Sequence, residues 1–96
     1  MVIERAEIVI KPGMMDAFMA RFLAEALPLT RQFTGCLSFR ALRGVEHTDH
    51  VMFLAEWESV EAHLASRPEP AHEQFRQIVL PFVERPVGTV HFEPIG

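Results

Sequence analysis

Residues 51–58, VMFLAEWE, are apolar on both alternating sets of positions. Val51, Phe53, Ala55 and Trp57 form one set, and Met52 and Leu54 form the other. Successive side chains of a strand point to opposite faces of its sheet, so a strand of this composition makes both faces apolar. Helices packed on one face leave the second needing cover from elsewhere. The chain has 96 residues, 49% of them apolar, which is enough for one core and too few for two. A domain of this size buries about 60–65% of the surface its unfolded chain exposes. We therefore expect residues 1–96 to form a single domain whose bare sheet face meets a second copy of the chain, as a homodimer joined sheet to sheet.

The remaining segments supply the partners of that strand. Residues 2–11, VIERAEIVIK, are β-branched and broken by charges, which predicts a strand. Pro12-Gly13 stops it. Met15, Phe18, Phe22 and Ala26 then recur at helical spacing, with Met19 and Leu23 flanking and Asp16 in the first turn, where a negative charge suits the helix dipole. Pro28 is expected to kink this helix or end its regular part, and Gly35 closes the segment. Residues 36–43, CLSFRALR, alternate Leu37, Phe39 and Ala41 against Ser38 and Arg40, and should pair with 51–58 as an antiparallel hairpin. Ser59 is placed to cap a short helix. The Arg67-Pro68-Glu69-Pro70 interruption precedes a further helix through Phe75, Ile78, Val79 and Phe82, and residues 86–92 make a last strand. The order is strand, helix, strand, strand, helix, strand. This is the α+β, ferredoxin-like βαββαβ arrangement, an antiparallel sheet with helices on one face.

Charge and composition remove several classes of function. The net charge is −4, and one Lys and eight Arg are scattered singly, so there is no basic stripe for nucleic acid. No apolar run is long enough for a transmembrane helix, which argues against a membrane role. Glu4, Arg5 and Glu7 interrupt the first apolar stretch, unlike a signal peptide. A single cysteine, Cys36, fits a reducing cytoplasm and excludes a zinc-thiolate framework. It opens a strand without a flanking cation and reads as an inert buried thiol. His47 and His50 flank Thr48 and Asp49 in a polar connection, too few ligands for a metal site. The absence of a Gly-rich phosphate loop leaves nucleotide cofactors unsupported. There is no Tyr and no Asn, so neither a phenol nor an asparagine carboxamide can take part in chemistry.

Residues 51–63, VMFLAEWESVEAH, resemble the antibiotic biosynthesis monooxygenase family, and the Trp57-Glu58-Ser59 step is the most specific part of the likeness. Lys11-Pro12-Gly13 after the first strand, the Phe-bearing helix, Gly35-Cys36-Leu37-Ser38 and the late helix before a C-terminal strand extend it over nearly the whole chain. The resemblance implies a dimeric α/β barrel and cofactor-free oxygenation. It also implies a site built differently from the polyketide-oxidising members. Their strand Asn is replaced by Phe53 and a following Tyr by His63. A second Tyr is replaced by Ala41 and a helix Arg by Gln77, beside Arg76. Trp57 is retained. His72 lies one residue from a histidine place of the quinol-oxidising type. Without Asn, the haem-degrading constellation is incomplete.

Strand parity places Phe53, Ala55 and Trp57 in one wall on the helix side of the sheet, with Leu37, Phe39 and Ala41 beside them and Phe18 and Phe22 closing over. Phe75 is expected to join this aromatic-lined pocket, suited to a flat, weakly polar ligand. Arg40, of opposite parity, is expected at the dimer interface. His91 is read as structural or interfacial. The leading expectation is a monooxygenase that oxidises a small phenol, quinol or anthrone-like substrate with O2 and no cofactor. His63 or His72 would be the base, and Trp57 would stack on the substrate or donate its indole N–H. A non-catalytic small-ligand-binding member of the fold is the alternative. An isomerase of a small phosphorylated metabolite is a further one, needing a cation such as Arg76.

Overall fold

A computed structural model describes all residues, Met1–Gly96. The strands are β1 (Val2–Ile10), β2 (Cys36–Arg43), β3 (His50–Trp57) and β4 (Val83–Phe92). The helices are α1 (Met15–Arg21), α2 (Leu27–Leu29), α3 (Val60–Ser66) and α4 (Pro70–Val79). One sheet has the order β2-β3-β1-β4, and every neighbouring pair is antiparallel. This is the expected ferredoxin-like α+β fold, with each helical crossover broken into shorter pieces. No helix is long and apolar enough to cross a membrane.

The breaks follow from local chemistry. After β1, Gly13 takes φ +76°, and the Met14 amide donates to the Lys11 carbonyl at 3.1 Å, so the chain reverses into α1. Phe22–Ala26 form a π-helical turn, in which the Leu27 amide reaches back to the Phe22 carbonyl. Pro28, just beyond, has no amide to continue the α-helical ladder and would clash with the carbonyl four residues back. The wider turn relieves that conflict, so the expected kink takes the form of an extra residue in one turn. At α3, the Ser59 hydroxyl accepts from the Ala62 amide at 3.0 Å, as a helix cap does. Pro70 opens α4 at the position where its missing amide costs nothing.

Gly35 holds the start of β2 against α3. Its φ is +82°, and a Cβ there would lie 2.9 Å from the Ala62 Cβ. Its carbonyl accepts from the Glu58 amide at 2.9 Å, tying this corner to the end of β3. Gly35→Ala is expected to lower stability by about 2 kcal/mol, from the left-handed backbone and the crowding together. A urea denaturation midpoint unchanged from wild type would refute this.

The core lies on the helix side of the sheet. In β3, Val51, Phe53, Ala55 and Trp57 are buried, whereas His50, Met52, Leu54 and Glu56 are half-buried. In β2 the alternation is shifted by a bulge. Cys36 pairs with Trp57 and Ser38 with Glu56, so Leu37 has no place opposite β3. It is 56% exposed and not in the wall where simple alternation puts it. From Ser38 the pairing is regular, and Phe39 and Ala41 face the helices opposite Ala55 and Phe53. The far face carries Leu42, Met52, Leu54, Val90 and Phe92, interspersed with Arg5 and Arg40. Arg5 lies over the Phe92 ring, 5.4 Å from its centroid.

Candidate functional site

An open apolar groove of about 350 Å³ runs between α1 with its π-helical turn and the outer edge of β2. One bank is Met15, Phe18, Met19, Phe22, Leu23 and Leu27; the other is Phe39, Arg40, Ala41, Leu42, Arg43 and Val51. Phe18 and Phe22, one turn apart, have centroids 5.6 Å from each other, and Phe22 stacks on Phe53 at 5.6 Å. The groove has the aromatic and thioether walls that suit a flat ligand with few polar groups.

A second feature lies deeper, under α3. Glu4 projects from β1 to the helix side and is 7% exposed. The indole N–H of Trp57 donates to Glu4 Oε1 at 2.8 Å, and His63 Nε2 is 3.4 Å from the same oxygen. His63 Nδ1 meets His91 Nε2 at 2.7 Å. Burial raises the Glu4 pKa, opposed by the Trp57 hydrogen bond and by the charges of His91 and Arg67. Burial pushes His63 down to about 4, helped by the charges of Arg67, His91 and His72. A neutral His63 donating from Nε2 to Glu4 must accept at Nδ1 from His91, which fixes the direction of the chain His91 to His63 to Glu4.

His72, on α4, lies flat on Phe33 with centroids 4.3 Å apart, and its Nδ1 is 3.3 Å from the Ser66 hydroxyl. Burial, followed by the charges of Arg76 and Arg67, pushes it down to about 4. Phe33 stacks on Trp57 at 6.2 Å, and Trp57 on His63 at 4.5 Å. His72, Phe33, Trp57 and His63 thus form a run of nearly parallel rings. Cys36, nearby, has its thiol pushed up to about 11 by burial, so it stays protonated.

The sequence-expected residues fall in two compartments. Phe18, Phe22 and Phe39 line the groove. His63, His72 and Trp57 belong to the ring stack. Phe53 and Phe75 are buried between the two, packed edge-on to each other at 5.6 Å and against Phe39 at 5.5 Å. Arg76 is engaged, donating to Glu73 and to the Arg67 carbonyl. Arg40 is exposed beside the groove. His47 and His50 stay in and beside the β2–β3 connection, with ring centroids 5.2 Å apart. Sequence reasoning missed Glu4, Phe33 and the partnership of His91. One signal was available for Glu4: it shares a parity with Val2, Ala6 and Ile8 in β1, the set that faces the core.

A model of the antibiotic biosynthesis monooxygenase family matches residues 1–78. The chain belongs to this family. Solved structures of similar fold agree. A family protein from Bordetella bronchiseptica superposes with a TM-score of 0.89 at 25% identity, covering 98% of this chain and 96% of its own. One from Chloroflexus aurantiacus gives 0.73 at 23% identity, covering 99% and 93%. One from Nitrosomonas europaea gives 0.80 at 14% identity, with both chains fully covered. No curated protein matches the sequence. Membership of the monooxygenase family fixes the architecture, while the chemistry must be argued from the groove and the ring stack.

Proposed function

We propose that the chain is a cofactor-independent monooxygenase that oxidises a small phenol, quinol or anthrone-like substrate bound in the groove. The observation that carries the reading is the open aromatic and thioether groove in a member of this family. An imidazole takes a proton from the substrate, and the resulting anion passes one electron to O2. The radical pair combines to a peroxide, the imidazolium returns its proton, and loss of water leaves a carbonyl. One oxygen atom enters the product and the other leaves as water, with all four electrons supplied by the substrate.

His72 is the better base of the two candidates, and because Phe53 and Phe75 stand between it and the groove, the reacting edge of the substrate must pass them to reach it. His63 Nδ1 is bonded to His91 and its Nε2 faces the Glu4 carboxylate at 3.4 Å, whereas His72 uses only Nδ1, on Ser66. Trp57 and His63 then position the ring stack behind it. The apolar far face of the sheet supports a homodimer, sheet to sheet, as the working form, and the protein acts in the cytoplasm.

Oxygen uptake with hydroquinones, naphthohydroquinones and anthrones, compared with autoxidation alone, tests this. The expected result is uptake above autoxidation that falls at least about tenfold in His72→Ala, since general-base catalysis is worth that much or more. Its pH profile should be level through neutrality and fall only as pH approaches about 4, where His72 takes a proton. Uptake equal to autoxidation across the panel would overturn the reading. The lack of any histidine among the groove residues favours a second one, a non-catalytic small-ligand-binding protein. Ligand binding without oxygen uptake would select it.

A further inference from the structure

The groove contains no acidic residue, yet it carries two arginines, Arg40 and Arg43, neither of which forms an ion pair. They differ in placement. Arg40 pairs with Leu54 and belongs to the far face, whereas Arg43 pairs with Val51 and stands on the helix side, at the end of β2. The Nε of Arg43 donates to the Thr48 carbonyl at 2.9 Å. That bond anchors the guanidinium and leaves its two Nη groups, the pair that grips a carboxylate or sulfonate, without an acidic partner. An unpaired cation beside low-dielectric walls raises the positive potential along them, offset in part by Asp16 and Asp49, which share with Arg43 the cavity at the end of β2.

We propose that the groove selects aromatic acids: the ring system lies along Phe18, Met19 and Phe22, and a carboxylate or sulfonate reaches Arg43. The proposal rests on the groove being the substrate site and adds the charge of what enters it. A neutral quinol then binds less well than an acid-bearing analogue of the same ring system.

The test is equilibrium binding, followed by fluorescence, of anilinonaphthalene sulfonate and of N-phenylnaphthylamine, the same ring system without the sulfonate. The sulfonate should bind about tenfold more tightly, a difference that one charge-assisted contact supplies. Arg43→Met should erase the preference by weakening binding of the sulfonate, and Arg43→Lys should restore part of it. Ala41→Trp, which fills the groove, should abolish binding of both. Equal affinity of the two probes for the wild type, or a preference that survives Arg43→Met, overturns the selection of acids and leaves the groove as a ligand site. Failure of both probes to bind, or binding that persists in Ala41→Trp, overturns the groove itself. None of these readouts depends on oxygen uptake, so loss of the oxygenase reading would be seen separately.

Discussion

Glu4→Ala is expected to lower the stability of the fold by about 2–4 kcal/mol, the cost of leaving a buried donor unsatisfied together with the cavity. The carboxylate accepts from Trp57 and faces His63, and all three side chains are sealed from water. Alanine leaves the indole N–H without its acceptor and His63 Nε2 without its carboxylate neighbour, and opens a cavity under α3. Glu4→Gln keeps an oxygen for the indole, and should cost only about 1–2 kcal/mol. Urea denaturation of the two variants measures both values. A loss under about 1 kcal/mol for Glu4→Ala would mean that Trp57 and His63 find other partners, and that the cluster is not what holds α3 to the sheet.

Acid should unfold the protein early, in a window set by histidine. His63 and His72 are each held down to about 4 in the folded chain, against the ordinary 6.5 of an imidazole. Between those values the unfolded chain binds protons that the folded chain refuses, so stability falls as pH drops through 6.5 toward 4 and is fully present above. Glu4 works the other way. Its raised pKa makes the folded chain the better proton acceptor at the carboxylate, so acid relieves part of the loss. The two histidines together set an upper limit of about 6 kcal/mol on the loss between neutral pH and the lower end of that window, and Glu4 returns part of it. Urea midpoints across this range should show it, and His72→Phe should flatten the slope. A midpoint independent of pH from 7 down to about 4.5 would contradict the depressed histidines.

The architecture was legible because its signals are short-range. The double apolar parity of β3, the Pro12-Gly13 stop, the Ser59 cap and the proline break before α4 are each written in consecutive residues, and each appears in place. Two local departures, the bulge that expels Leu37 and the π-helical turn before Pro28, come from one inserted residue apiece, which alternation and helical spacing do not register. The candidate site was less legible. Parity puts Trp57, Phe53 and Phe39 on one face, but whether a face encloses a cavity depends on side chains arriving from elsewhere. Phe33, from the turn after α2, completes the ring stack, and Phe75, from α4, fills the space between it and the groove. The His63–His91 contact joins a helix to a strand 28 residues away, and no periodicity reports such a meeting.

The two rims of the sheet are not equivalent. β4 carries Pro86, which offers no amide, and its pairing with β1 slips twice, between Glu7 and Ile8 and between Val9 and Ile10. That rim is a poor template for a foreign strand. β2 contains no proline or glycine and keeps regular register from Ser38 to Arg43. Strand recruitment therefore has one receptive side per molecule. Two copies that met rim to rim would use up both receptive sides and stop, so stacking into an open-ended fibril is blocked after the first pairing.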